Sequence, residues 1–179
     1  PETITIDGVE RPTTNSEGKP IHPTEAGVRN FWKWFGDSKV VDDQGRPLVV
    51  YHGTNAAFDT FDINKAGSAT DEGWAGKGFY FHIDPDTSAI YGKNNMAVYL
   101  NMRNPYDFEG QNFYKVVQEK GGPSEFSKWL DKNDYDGAML WGQRMVLKPN
   151  QIKSATDNVG TFDGTNPNIN FMRGPTKQD

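Results

Sequence analysis

The chain contains no cysteine. This excludes thiol catalysis, disulfide staples and thiolate zinc sites together. Histidine is scarce: His22, His52 and His82 lie far apart and show no metal-ligand spacing, so no metal is expected. No apolar run approaches the roughly 20 residues of a membrane helix, and no segment reads as a signal peptide, so no membrane partner is expected. Basic clusters are also missing. With 19 Lys and Arg against 24 Asp and Glu, the formal net charge is −5. The chain therefore lacks the basic stripe selected by phosphate backbones, and nucleic acid is the less favoured partner. There is neither a Gly-x-Gly-x-x-Gly turn nor a Walker loop, so the common nucleotide-binding fingerprints are absent. Apolar residues make up only 35% of the 179 positions, while 19 glycines and 11 prolines fall mostly outside periodic stretches. One domain with an ordered core and loose ends is the expectation.

What is present begins with an arm, residues 1–23, where Pro12, Pro20 and Pro23 punctuate polar sequence; it reads as extended or disordered. Thr24 is a helix N-cap candidate. Val28, Phe31, Trp32 and Phe35 then repeat at i, i+3, i+4, i+7, one helical face, with Gly36 as the stop. Residues 39–41 and 47–51 flank a turn and suggest a hairpin. Residues 64–76 read as a glycine-rich loop. Strands are expected over 78–83, 97–102, 136–141, 144–148 and 152–155. Helices are expected after the Asp84-Pro85 cap, over 111–120 and over 124–132. From 157 to 179 the composition predicts a tail. Strands with a few interspersed helices, without regular alternation, indicate an α+β domain over residues 24–156.

Three segments are candidates for chemistry: Tyr51-His52-Gly53-Thr54 at the end of a β run; Gly76-Lys77-Gly78-Phe79-Tyr80-Phe81 followed by Ser88-Ala89-Ile90-Tyr91; and Gly142-Gln143-Arg144-Met145-Val146-Leu147 followed by Asn150-Gln151-Ile152. Each has an ordinary reading as well. A histidine at a strand end is often structural, Tyr80 and Tyr91 suit a core, and Gln143 suits a surface. If a helix after Asp84 turns the chain back, the two tyrosines can face each other across a flat ligand, and Gly76 and Gly78 let a ligand approach the backbone.

Together, in this order, the three segments resemble the ADP-ribosyltransferase superfamily, in its diphtheria-toxin-like and poly(ADP-ribose)-polymerase-like branch with a His-Tyr-Glu triad. The first motif of that branch, Trp/Tyr-His-Gly-Ser/Thr, is matched at residues 51–54. Its second, Gly-Lys-Gly-Ile-Tyr-Phe then Ser-Ala-Asn-Tyr, is matched at 76–81 and 88–91. A narrower similarity, carried by residues 30–38, 149–155 and 158–163, is to the ADP-ribosyltransferase modules of phage polyvalent proteins and polymorphic toxins. The resemblance implies a split β-sandwich with flanking helices and an NAD⁺ cleft, in a module of a larger polypeptide. It also implies transfer of ADP-ribose from NAD⁺, as substrate, with no metal. His52 would bond the adenosine ribose, and Gly53 and Ser88 the nicotinamide carboxamide, with Thr54 beside them. Tyr80 and Tyr91 would sandwich the nicotinamide ring. His52, Tyr80 and Gln143 would form the triad.

Gln143 departs from that pattern. A carboxylate there can stabilise an oxocarbenium-like transition state and help activate an acceptor; an amide brings hydrogen bonds without charge. Single transfer rather than chain elongation is expected, with NAD⁺ hydrolysis or a catalytically inactive NAD⁺- or ADP-ribose-binding module as alternatives. Gln151 is the rival for the role. Trp141 reads either as core or as a platform for the acceptor. Residues 134–142 resemble the superfamily's target-contacting loop and carry Asp134, Tyr135, Asp136 and Trp141 without Lys or Arg, which suits a protein side chain better than nucleic acid. The expected setting is a soluble monomer in the cytoplasm of a bacterial or host cell, delivered by phage or a secretion system, acting on a bacterial or host protein.

Overall fold

The computed structural model describes residues 2–65 and 73–170. It opens with a hairpin of β1 (Thr3–Ile6) and β2 (Val9–Pro12), paired antiparallel from Thr3↔Pro12 to Ile6↔Val9. Asp7 and Gly8 form its turn with φ of 51° and 81°, the left-handed pair that a tight hairpin requires. The arm's extended backbone is therefore folded on itself as a paired hairpin. It continues into a packed segment in which Ile21 is buried and the buried Asn15 donates to Tyr99 Oη at 3.0 Å.

Helix α1 (Glu25–Phe35) starts at Thr24, whose hydroxyl accepts from Gly27 N at 3.0 Å, and stops at Gly36. Phe31 and Phe35 are fully buried, and Val28, Trp32 and Trp34 nearly so. Burial of side chains this size is worth roughly 1.5–3 kcal/mol each. Trp32 Nε1 donates to Pro12 O, clasping the hairpin, and Trp34 Nε1 donates to Asn150 O.

Next come β3 (Val50–Thr54), β4 (Phe79–His82), α2 (Pro85–Ser88), a 3₁₀ turn at Ala89–Tyr91, β5 (Asn94–Leu100) and β6 (Pro105–Asp107). They are followed by α3 (Phe113–Glu119), α4 (Pro123–Lys132), β7 (Gly137–Leu140), β8 (Gln143–Val146) and β9 (Ile152–Ser154). The earlier hairpin expected around 39–51 is reduced to a bridge between Val41 and Pro47 ahead of β3. Seven strands form one mixed sheet in the order β6-β7-β8-β4-β3-β5-β9, antiparallel except for β6-β7.

The sheet is continuous but not uniform. β3 pairs with β5 over five positions and β4 with β8 over four, whereas β3 and β4 are joined at one pair, Tyr51↔His82. That seam divides the sheet into halves, β6-β7-β8-β4 and β3-β5-β9. One face carries a single core across both halves, including Val50, Phe79, Phe81, Val98 and Val146. The other face is covered separately, by α1 over β3 and β5 and by residues of α3 and α4 over β7 and β8. The result is an α+β domain. Its two expected sheets are joined at the seam rather than standing apart.

The stretch from 157, read as a tail, packs back onto the domain as far as residue 170. Phe162 and Ile169 are buried. Asn158 Nδ2 donates to Ile169 O, and its Oδ1 accepts from Gly160 N and Phe162 N. Lys153 Nζ on β9 donates to Asn166 O at 2.6 Å. Side-chain amides thus supply the bonds that secondary structure would otherwise provide.

Candidate functional site

The seam brings the predicted residues near one another, because His52 lies on β3 and Tyr80 on β4. His52 Nδ1 lies 2.9 Å from Tyr80 O. A carbonyl only accepts, so Nδ1 carries the proton and, in the neutral ring, Nε2 is an acceptor. Burial pushes the His52 pKa down, with the Tyr80 carbonyl opposing, so the ring is neutral at neutral pH. Its neighbours are Phe58, Phe61 and Phe81, with centroids 5.1–6.3 Å away.

Strand alternation puts Tyr80 on the opposite face from Phe81. The register Tyr80↔Met145 then places Gln143, two residues before Met145, on the face of Tyr80. Trp74 joins them: its indole Nε1 donates to Gln143 Oε1 at 2.8 Å, and its ring meets Tyr80 edge-on at 5.7 Å. Tyr80 Oη accepts from Ala75 N at 3.1 Å and donates to Gly76 O. Tyr80 and Gln143 are thus gathered as expected. The His52 ring is not on their face; it reaches the pair through the Tyr80 backbone, because alternation aims it at the Phe61–Phe81 core.

The second tyrosine is placed differently again. Asp84 caps α2 by accepting from Asp86 N, and the following 3₁₀ turn ends at Tyr91, which is 69% exposed. The Tyr80 and Tyr91 rings are not in contact. Ser88 is buried, its hydroxyl 2.6 Å from Asn95 Oδ1 and 3.0 Å from Pro85 O. One proton serves two acceptors there, so the hydroxyl is engaged internally. Gly53 lies directly beneath: a Cβ on it would fall 1.8 Å from Ser88 O, so β3 and α2 approach as only glycine permits. Thr54 Oγ1 accepts from Ala56 N and turns the chain away from the strand.

The sequence profile of a family described as ADP-ribosyltransferase in polyvalent proteins matches residues 42–162. The chain belongs to that family. The match takes in β3 to β9 of the ADP-ribosyltransferase domain and leaves the hairpin and α1 outside it, although α1 shares a buried core with Val49, Tyr99 and Phe162. No curated protein matches the chain. Among solved structures, the crystal structure of an anti-CRISPR protein aligns with 11% identity and a TM-score of 0.35 over 58% of this chain and 90% of that one; so loose a superposition carries no argument.

Several residues of the ADP-ribosyltransferase domain have roles other than those expected. Gln151 is structural: its Oε1 accepts from Leu147 N and Lys148 N, and its Nε2 donates to Asn101 O and Asp136 O. Asp136 accepts from Arg103 N and Asn104 N, and Tyr135 stacks on Trp129. Neither is a free rim group. Trp141 is not core. It is 80% exposed in the β7–β8 turn with φ of 53°, two residues before Gln143. Arg144 holds that turn, donating to Trp141 O at 2.8 Å and Gln143 O at 3.0 Å.

Trp74 is the residue that sequence reasoning missed. It lies in the stretch taken for a loop, and a tryptophan among glycines was the available signal. Two clefts, of about 940 and 550 Å³, are lined by other residues and include none of His52, Tyr80 or Gln143. Among the described residues no group of three or more His, Asp or Glu side chains is gathered to hold a metal, and no helix is long and apolar enough to cross a membrane.

Proposed function

We propose that this domain cleaves NAD⁺ at the bond to nicotinamide and passes ADP-ribose, once per acceptor, to a protein side chain of a bacterial or host cell, as a phage- or secretion-delivered effector. Membership of a family whose donor is NAD⁺ supports the reaction class. The observation that carries the reading is the Trp74 bridge, which links the ring of Tyr80 to the amide of Gln143 beside the seam.

In this reading Tyr80 forms one wall for the nicotinamide ring, and Tyr91, whose ring is exposed, closes from the other side when the ring enters. His52 acts from behind, holding the Tyr80 backbone through Nδ1, and the Gly53 backbone and the main chain at Ser88 bound the carboxamide end. Gln143 meets the nicotinamide ribose. The exposed Trp141 ring beside it suits a cationic or flat protein side chain, and the domain's net negative charge disfavours a phosphate-rich acceptor. No metal has a role.

The test is incubation with labelled NAD⁺ and bacterial lysate, followed by fractionation. Label removed by protease and resistant to nuclease is the expected result. Label lost to nuclease alone would overturn the protein acceptor. A second reading, a module that binds NAD⁺ or ADP-ribose without turnover, is favoured by the lack of a carboxylate at residue 143; it requires binding with no nicotinamide release.

A further inference from the structure

We infer that Trp74 is a positioning residue that fixes the polarity of Gln143, so that residue 143 meets a ligand as an N–H donor and not as an acceptor. The inference rests on the site reading above. An indole N–H only donates, so the atom of Gln143 lying 2.8 Å from Trp74 Nε1 must be the amide oxygen. Rotating the amide by half a turn would set NH₂ against N–H and lose the bond. The remaining polar atom, Nε2, meets no acceptor among the described residues and is left for a ligand.

Trp74 is itself held in place. Its ring packs edge-on against Tyr80, Phe108 and Phe113. The backbone after it is fixed twice: by Ala75 N and Gly76 O on the Tyr80 hydroxyl, and by Gly76, which has φ of +91° and lies so near α4 that a Cβ would fall 2.0 Å from Pro123 O. The indole is therefore aimed before any ligand arrives.

The chemical consequence follows from the sign of the exposed dipole. A ribose hydroxyl beside Gln143 must accept from Nε2 through its oxygen. Positive charge growing at the adjacent carbon, as the bond to nicotinamide breaks, gains nothing from an N–H donor. A carboxylate at the same position would accept from Trp74 with one oxygen and turn the other towards the ribose. Gln143→Glu is thus expected to raise nicotinamide release by roughly tenfold or more, the direction in which matched charge acts on a transition state. In a Trp74→Phe background the gain should shrink, because the carboxylate is no longer aimed.

The direct test is the ¹H–¹⁵N spectrum of the full chain, with the indole signals of the five tryptophans and the Gln143 side-chain amide assigned. In Gln143→Met, which removes the acceptor and nearly keeps the shape, the Trp74 indole signal should shift and exchange faster while those of Trp32 and Trp34 stay put. On adding NAD⁺ to the unaltered chain, the Gln143 NH₂ signals should move and the Trp74 indole signal should keep its hydrogen-bonded position. A Trp74 indole unaffected by Gln143→Met overturns the inference whatever NAD⁺ does. So does an indole released when NAD⁺ binds, since that reports an amide turned oxygen-first. If the indole responds to Gln143→Met but NAD⁺ binds and moves neither group, the positioning contact stands and it is the site reading that fails.

Discussion

Around α1, Phe31, Trp32, Trp34 and Phe35 are at most 6% exposed. Phe31 alone meets Trp32, Trp34, Phe35, Tyr99 and Phe162 at 4.8–5.9 Å. Around Gln143 the chain is equally rich in rings, yet Tyr91 is 69% and Trp141 80% exposed, and Trp74 and Tyr80 are half-buried with their polar ends tied to an amide and a turn. In the first region rings satisfy rings and nothing is left over. In the second, aromatic surface and one amide NH₂ group are left without a protein partner among the described residues. Composition alone does not separate the two. What separates them is place in the sheet: α1 covers β3 and β5, whereas the second region lies beside the seam, where β3 and β4 share a single pair.

The largest test of this contrast is Phe31→Ala, which should cost about 3–5 kcal/mol in denaturant unfolding, the range for deleting a fully buried phenylalanine ring. A cost below about 1 kcal/mol would mean that the α1 region is not the dry core described. Next is Gly53→Ala. Its new methyl would meet the Ser88 backbone oxygen at 1.8 Å, so β3 and α2 must move apart. A stability loss of about 1–3 kcal/mol together with weaker NAD⁺ binding is expected; unchanged binding would detach the β3–α2 contact from the site.

A pH dependence probes the dry side. Burial holds Lys153 down to about 8, against a usual value of 10.5, with Asp163 opposing. Below about pH 8 the folded chain carries the full desolvation cost of the ammonium. Between about 8 and 10.5 the folded state binds fewer protons than the unfolded one, so stability rises with pH. Burial raises Tyr99 to about 12, which opposes the rise above about pH 10. Unfolding measured from pH 7.5 to 9.5 should therefore show a gain of roughly 1–2 kcal/mol that is missing in Lys153→Met. A flat profile in the unaltered chain would contradict the burial. The smallest effect is Tyr91→Ala. Stability should change by no more than about 0.5 kcal/mol, as for an exposed side chain, while NAD⁺ binding by calorimetry should weaken by roughly 0.5–1.5 kcal/mol, one aromatic stack.

Legibility in the sequence followed local signals. The α1 face, the caps at Thr24 and Asp84 and the strands leading into Tyr80 and Gln143 were readable, because periodicity and capping chemistry are local. The β1–β2 hairpin was missed because three prolines outweighed an Asp7-Gly8 turn, and residues 157–170 because Asn158 and Lys153 replace a hydrophobic pattern with single hydrogen bonds. In the site, the pairing of Tyr80 with Gln143 followed from motif order. The aim of His52 did not, because it depends on the strand alternation across the seam. Nor did the rivalry between Gln143 and Gln151, since two similar amides differ only in what surrounds them. Trp74 joins the site across 69 residues, a distance no local pattern spans.

The central claim is tested most directly by incubating the purified chain with NAD⁺ and quantifying free nicotinamide, with Tyr80→Ala in parallel. The account predicts nicotinamide release by the unaltered chain, increased when acceptor-containing lysate is added, and its loss in Tyr80→Ala. NAD⁺ left intact and unbound, with or without lysate, would contradict it.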